Sequence, residues 1–267
     1  MGDTMFRLGR LPRTYDPRVP HLSAILGGKK PAAPPPSVNY VKDMPQAPKR
    51  FGMMLNDKLG DCTCAAFYHA RQVWTFHSSG RTQTAPNADV ELLYEEACGY
   101  NPKKGGEGPG GNEQHVLTYI HKKGAPIGKD GAPVDKILGF VEVDPRVIDD
   151  VKRTIYNAGV AYIGFNVPAN IMPSDGVPPQ VWTVAPGRQK IVGGHAVVLA
   201  GYDAKGAILI SWGQLYKMTW QFFTTYVDEV YSISDAAWSR SAFAKKKKLM
   251  LPGGLSEAEL RDQMRFL

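Results

Sequence analysis

An α+β architecture in two lobes is what this 267-residue sequence predicts. Helical periodicity dominates the first half, and glycine-punctuated β-rich runs follow it. That order places helices and strands in separate lobes. The length, with 43% hydrophobic and 21% charged residues, suits one large domain with appendages.

Residues 1–50 carry nine of the 21 prolines, including Pro34-Pro35-Pro36, and read as an extended arm. The first long helix is expected after the Gly-Asp-Cys at 60–62, over about 63–79. A second is expected at 88–98, where Val90, Leu93, Tyr94 and Ala97 share a face and Gly99 stops it. A glycine-rich loop covers 103–111, and a third helix runs over 113–123 between the cap Asn112 and Gly124. A fourth is expected with Asp144 as its cap, Pro145 in its first turn, and Val147, Val151 and Ile155 as its stripe. The segments 160–167, 195–203 and 206–213 are predicted strands of one antiparallel sheet. In the tail, Ser256 and Glu259 form a capping box ahead of Leu260, Met264 and Leu267. The expected division is therefore an arm over 1–33, a domain over 34–238 and a tail over 239–267.

Charge is concentrated at the two ends. Residues 1–50 hold nine Lys/Arg against three Asp/Glu, and residues 239–267 hold seven against three. The middle of the chain is left at −3 of a total of +7, which argues against a nucleic-acid-binding core. Intramolecular attraction to so mildly acidic a body is expected to hold the flanks weakly. They are read as contacts in a homo-oligomer or a larger assembly, with solvated tails as the other reading. No apolar run approaches a membrane span, and no signal peptide is legible, so a cytoplasmic protein or a phage-particle component is expected. Three cysteines argue against a disulfide framework.

Chemistry is expected at Cys62 and His195. With Asp61 as N-cap, Cys62 falls in the first turn of its helix, where amides and dipole favour a thiolate. Cys64 lies about 200° further round and should pack. Two cysteines on opposite sides of a helix cannot clamp one ion, so no metal is expected, and no cofactor either. The other reading of both is as small buried hydrophobes. Among six histidines, His195 opens an apolar strand after Gly193-Gly194 and is the candidate base, or else a structural histidine.

The order of Pro-Ser-Val-Asn-Tyr-Val, Leu-Gly-Asp-Cys-Thr, a Gly-Gly loop before a helix, Gly-Gly-His-Ala-Val-Val and Ser-Trp-Gly resembles the papain-like cysteine peptidases over roughly 35–235. The bacterial branch, with Leu-Gly-Ser-Cys-Thr at its nucleophile, is the most similar. The resemblance implies a papain-like two-lobed fold, with Cys62 as nucleophile and His195 as base across a cleft. It further implies that Gly110 and Gly111 pair with the substrate backbone and that Trp212 shields the histidine's orienting partner. Asn56 stands where the family has its oxyanion glutamine, one methylene shorter; losing such a donor costs ~2.7–4 kcal/mol. Ile210 stands where the family has its triad asparagine and cannot accept an imidazole N–H, so Ser211 or Gln214 is the candidate substitute. Two functions follow. One is a peptidase or amidase acting on peptide or protein substrates through a Cys–His dyad. The other is a weakened or inactive papain-fold protein that serves as a structural or binding component of an assembly.

Overall fold

The computed structural model describes residues 6–44, 51–128, 133–172 and 176–267. After α1 (Leu22–Leu26) and β1 (Val38–Asn39), the helical lobe comprises α2 (Cys62–Ser79), α3 (Asn87–Cys98) and α4 (Glu113–Lys122), then a ribbon of β2 (Ala125–Pro126) and β3 (Val134–Asp135). The β lobe contains β4 (Gly139–Glu142), α5 (Ile148–Ala158), β5 (Ala161–Pro168), β6 (Val181–Trp182), β7 (Ile191–Tyr202), β8 (Gly206–Ser211), β9 (Gln214–Thr219), α6 (Trp220–Tyr226) and β10 (Val227–Ser234). The chain closes with α7 (Ala236–Arg240), α8 (Ala242–Lys247) and α9 (Glu257–Gln263).

The main sheet runs β4-β10-β5-β7-β8-β9-β6, with β1 added to β7. Every pairing in it is antiparallel except β6 with β9. The three strands expected from sequence are the consecutive neighbours β5, β7 and β8. Strand β7 starts earlier than expected, at Ile191, because Gly193 and Gly194 stay in register with Val167 and Asn166 of β5. Helix α2 is buried continuously from Cys62 to Trp74 and packs across β7. A helix apolar nearly all round belongs in the middle of a protein. This one carries the front of the helical lobe against the sheet.

Helix α3 stops at Gly99 (φ 76°), and Asn112 caps α4 by accepting the His115 amide. The fourth helix differs from expectation: α5 begins at Ile148, three residues beyond Pro145. Asp144 does not cap it, because its carboxylate takes the Arg146 amide at 2.9 Å and the Arg146 guanidinium in a local turn. The capping box at Ser256 and Glu259 is present, and Leu260 and Met264 are buried against Gly139 of the chain's own β4.

Candidate active site

Cys62 opens α2 and His195 lies on β7, the strand that α2 crosses. Both side chains are almost fully buried. The backbone amide of Ala196, next to His195, faces the Cys62 sulfur, and so does that of Gly9. The two elements therefore bring Cys62 to the backbone next to His195 at the lobe interface. The direct thiol–imidazole hydrogen bond is not made here. His195 Nε2 is 2.8 Å from Ser211 Oγ, and its buried Nδ1 has no hydrogen-bond partner among the described residues.

Ser211, one of the two sequence candidates, is thus the polar group against the imidazole. Its hydroxyl can accept from Nε2–H or donate to a bare Nε2, so it holds the ring in place without fixing the tautomer. Ile210 is buried in the sheet opposite Val198 and offers nothing polar. Trp212 stacks on the imidazole at 4.3 Å with an interplanar angle of 15°. It is held there by a two-residue hairpin between the paired Ser211 and Gln214, with Trp212 at φ 45° and Gly213 at φ 71°. Positive φ at both central residues is the turn that suits twisted strands, and at a tryptophan it carries strain. Met54 and Leu55, just ahead of Asn56, are also left-handed, at φ 54° and 66°. Asn56 is buried, and its amide donates to the Leu59 carbonyl at 3.1 Å.

The expected low-pKa thiolate is not found. Burial pushes the Cys62 thiol up to about 12; Asp61 and Glu113 add to the rise, and the Ala196 and Gly9 amides only partly oppose it. Asp61 sits at the N-cap position, but its side chain makes no capping bond. Its carboxyl is buried and pushed well above the usual range, with the Asn56 amide opposing. Burial likewise lowers His195 to about 3. Both side chains are therefore neutral at pH 7 in this state. Cys64 points elsewhere and packs against the Cys98 thiol, which it holds below the usual range.

The chain's own N-terminal arm is part of what covers the site, with the Gly9 amide against the Cys62 sulfur. The Arg7 amide donates to the Asn56 carbonyl at 2.9 Å, and the Trp212 indole donates to the Arg7 carbonyl at 3.2 Å. Gly111 donates to the Gly9 carbonyl at 2.8 Å and accepts from Leu11 at 2.9 Å. Arg10 donates to the Gly194 carbonyl at 3.1 Å. The arm runs parallel to the Gly111 segment and bridges the two lobes. Glycines make room for it on both walls. A Cβ at Gly110 would lie 2.5 Å from the Gly9 carbonyl oxygen, and one at Gly194 would lie 2.5 Å from that of Arg10.

Arg10 anchors the arm. Its guanidinium is buried, with Nε 3.1 Å from both Glu113 and Glu229 and Nη2 2.6 Å from Asp228 and bonded to Glu229. Weak intramolecular docking was expected from a body of only −3, but screening applies to exposed charges and not to a buried cluster. The acidic surface that suits the arm is on its own chain. Arg10, Glu113, Asp228 and Glu229 were not legible as site residues. The one local hint is that Glu113 follows two residues after the Gly110-Gly111 pair. Among the described residues no cluster of His, Cys, Asp or Glu could hold a metal ion. No described helix is long and apolar enough to cross a membrane.

No family model matches the chain, and no curated protein matches it by sequence. Solved structures do. Xylellain, a cysteine protease from Xylella fastidiosa, superposes with a TM-score of 0.62 at 18% identity, over 87% of this chain and 97% of that one. The cysteine protease and lectin-like domains of Cwp84, a surface-layer-associated protein of Clostridium difficile, give 0.58 at 13% identity, over 88% and 57%. The procathepsin B S9 of Trypanosoma congolense gives 0.57 at 11% identity, over 86% of both. The fold is that of the papain-like cysteine proteases.

Proposed function

We propose that this chain is a cysteine peptidase or amidase of the papain-like kind, held latent by its own N-terminal arm. The observation that carries the reading is the arm itself. An extended peptide lies across the cleft over Cys62, bonded through its backbone to Gly111 on one wall and Gly194 on the other. A cleft that takes five residues of its own chain in this way suits an extended peptide substrate. In the resting state a Gly9 amide faces the sulfur.

With the arm displaced, the roles follow from the residues. Cys62 passes its thiol proton to His195, and the thiolate attacks the substrate carbonyl carbon. The tetrahedral oxyanion forms near the start of α2, where Asn56 is the candidate side-chain donor. Collapse breaks the C–N bond, the amine leaves with the proton from His195, and a thioester remains. Water then gives a proton to His195 and attacks the thioester, releasing the carboxylic acid and restoring the thiol. Ser211 and Trp212 keep the imidazole in position throughout.

The Leu-Gly-Asp-Cys-Thr motif fits the bacterial branch, in the cytoplasm or in a phage particle. A second reading, a papain-fold binding component of an assembly, is favoured by one observation: thiol and imidazole are both neutral and unconnected beneath a docked arm. Under it, the flanks serve a homo-oligomer or a larger assembly. The test is an epoxide-type thiol probe and a quenched peptide pool applied to the full chain and to Cys62→Ala. Labelling and cleavage that both require Cys62 support the peptidase. A full chain with an opened cleft that neither labels nor cleaves supports the binding component.

A further inference from the structure

We infer that a cavity where the two flanks of the chain meet α5 binds a single-chain amphiphile with an anionic head, of the fatty-acid class. The cavity measures about 290 Å³ and shares no lining residue with the cleft, so the inference stands apart from the peptidase reading. Its apolar walls come from both flanks, with Leu22 and Leu26 from α1 and Met250 and Leu251 from the tail. Helix α5 contributes Arg153. The walls are braced to one another. Arg153 Nη1 donates to the Ala32 carbonyl at 3.2 Å, and the Met250 amide donates to Asn157 Oδ1 at 3.2 Å. Gly253 lets the tail close on α1, since a Cβ there would lie 2.4 Å from Ile25 Cγ2. The space is therefore formed before any ligand arrives. Its volume is at the small end of ligand sites, which run from ~300 Å³ upward, and it suits one hydrocarbon chain better than a folded segment.

Charge decides the head group. Lys29 and Lys30 line the cavity, are exposed, and make no ion pair among the described residues. Glu259 feels the Lys29 charge, but its carboxylate is already engaged by the Ser256 amide and hydroxyl. Arg153 is the third cation of the lining. Its Nη2 is bonded to Asp150, while its buried Nε has no hydrogen-bond partner among the described residues. A buried N–H without an acceptor is costly until an oxygen reaches it. A carboxylate head supplies that oxygen and the negative charge the two lysines lack, and its hydrocarbon chain covers the leucines. A neutral or cationic amphiphile meets only the apolar half of this demand. Met250 is 56% exposed beside the leucines, and its flexible thioether can adapt to a chain lying against it. A membrane lipid carries two acyl chains, more hydrocarbon than this space holds, so the occupant is a free single-chain acid.

The test is calorimetric titration of the full chain with decanoate below its micelle concentration, with octanoate and decyltrimethylammonium as controls. Decanoate should bind saturably, one per chain. Octanoate, two methylenes shorter, should bind about tenfold more weakly. Decyltrimethylammonium should bind at least about tenfold more weakly than decanoate. Lys29→Ser combined with Lys30→Ser, both at exposed positions, should weaken decanoate by about fivefold at low salt. A diazirine-bearing decanoate locates the site without any substitution: labelled peptides should fall within 22–32, 153–157 or 250–254, on wild type and on Cys62→Ala alike. The inference is overturned by an absence of saturable decanoate binding, by equal affinity for the cationic control, or by labels confined to the cleft. Binding to anionic phospholipid vesicles without binding of monomeric decanoate also overturns it, since that would be association with a lipid surface and not occupancy of the cavity.

Discussion

Gly9→Ala should expose the thiol while leaving the body untouched. A Cβ at Gly9 would lie 1.8 Å from the Gly60 carbonyl oxygen and 2.2 Å from its carbon. Gly60 cannot retreat easily, because its amide is bonded to the Glu107 carbonyl at 2.7 Å. The arm must lift, which breaks four backbone bonds, from Arg7 to Asn56, Gly111 to Gly9, Leu11 to Gly111 and Arg10 to Gly194. At about 1 kcal/mol each, that is about 4 kcal/mol of docking lost. With the thiol at about 12, the thiolate fraction at pH 7 is ~10⁻⁵. An exposed cysteine near pKa ~8.5 has about 3 in 100, so alkylation of Cys62 should accelerate by about 10³-fold. Intact-mass kinetics with iodoacetamide, corrected with Cys62→Ser for Cys64 and Cys98, read this directly. If proteolysis shows the arm released but Cys62 alkylates at the wild-type rate, then something other than the arm buries the thiol, and the latency argument fails.

Ser211→Ala removes the Nε2 partner in a buried setting and should cost about 1–3 kcal/mol in urea unfolding, with a slower acylation step in the opened enzyme. His195 and His69 are lowered by burial, to about 3 and about 4, so the unfolded chain binds more protons below ~6.5. Their stabilisation is full above ~6.5 and is lost as pH falls towards 4 and 3. Asp235 and Glu113, raised by burial, act in the opposite sense, so the check is a difference: His69→Gln should show a shallower loss of unfolding free energy between pH 7 and 4.5 than wild type. Leu260→Ala empties a fully buried site against Gly139 and should cost about 2–5 kcal/mol of tail docking, seen as faster proteolysis within 251–267 with the sheet's hydrogen-exchange protection unchanged.

Local chemistry is what the sequence determined by itself. The glycine-bounded runs became β5, β7 and β8 because apolar β-branched residues between turn signals leave few alternatives. The helix after Asp61 and the tail's capping box are decided within a few residues, and so is the placement of Cys62 at a helix start. Ser211 was reachable too, since it is one of the few polar groups beside Ile210. The start of α5 was misread because Asp144 had two local partners to choose from, and Arg146 won.

Only the tertiary structure decided the state of the site. A helix start favours a thiolate, but that preference is worth little once the sulfur is buried, so Cys62 rose where a fall was expected. Net charge failed for a related reason: −3 over the middle of the chain is an average, while Glu113, Asp228 and Glu229 come from distant positions and meet around one guanidinium. The strength of a buried cluster depends on separation and solvent exclusion, and neither is written in the order of residues.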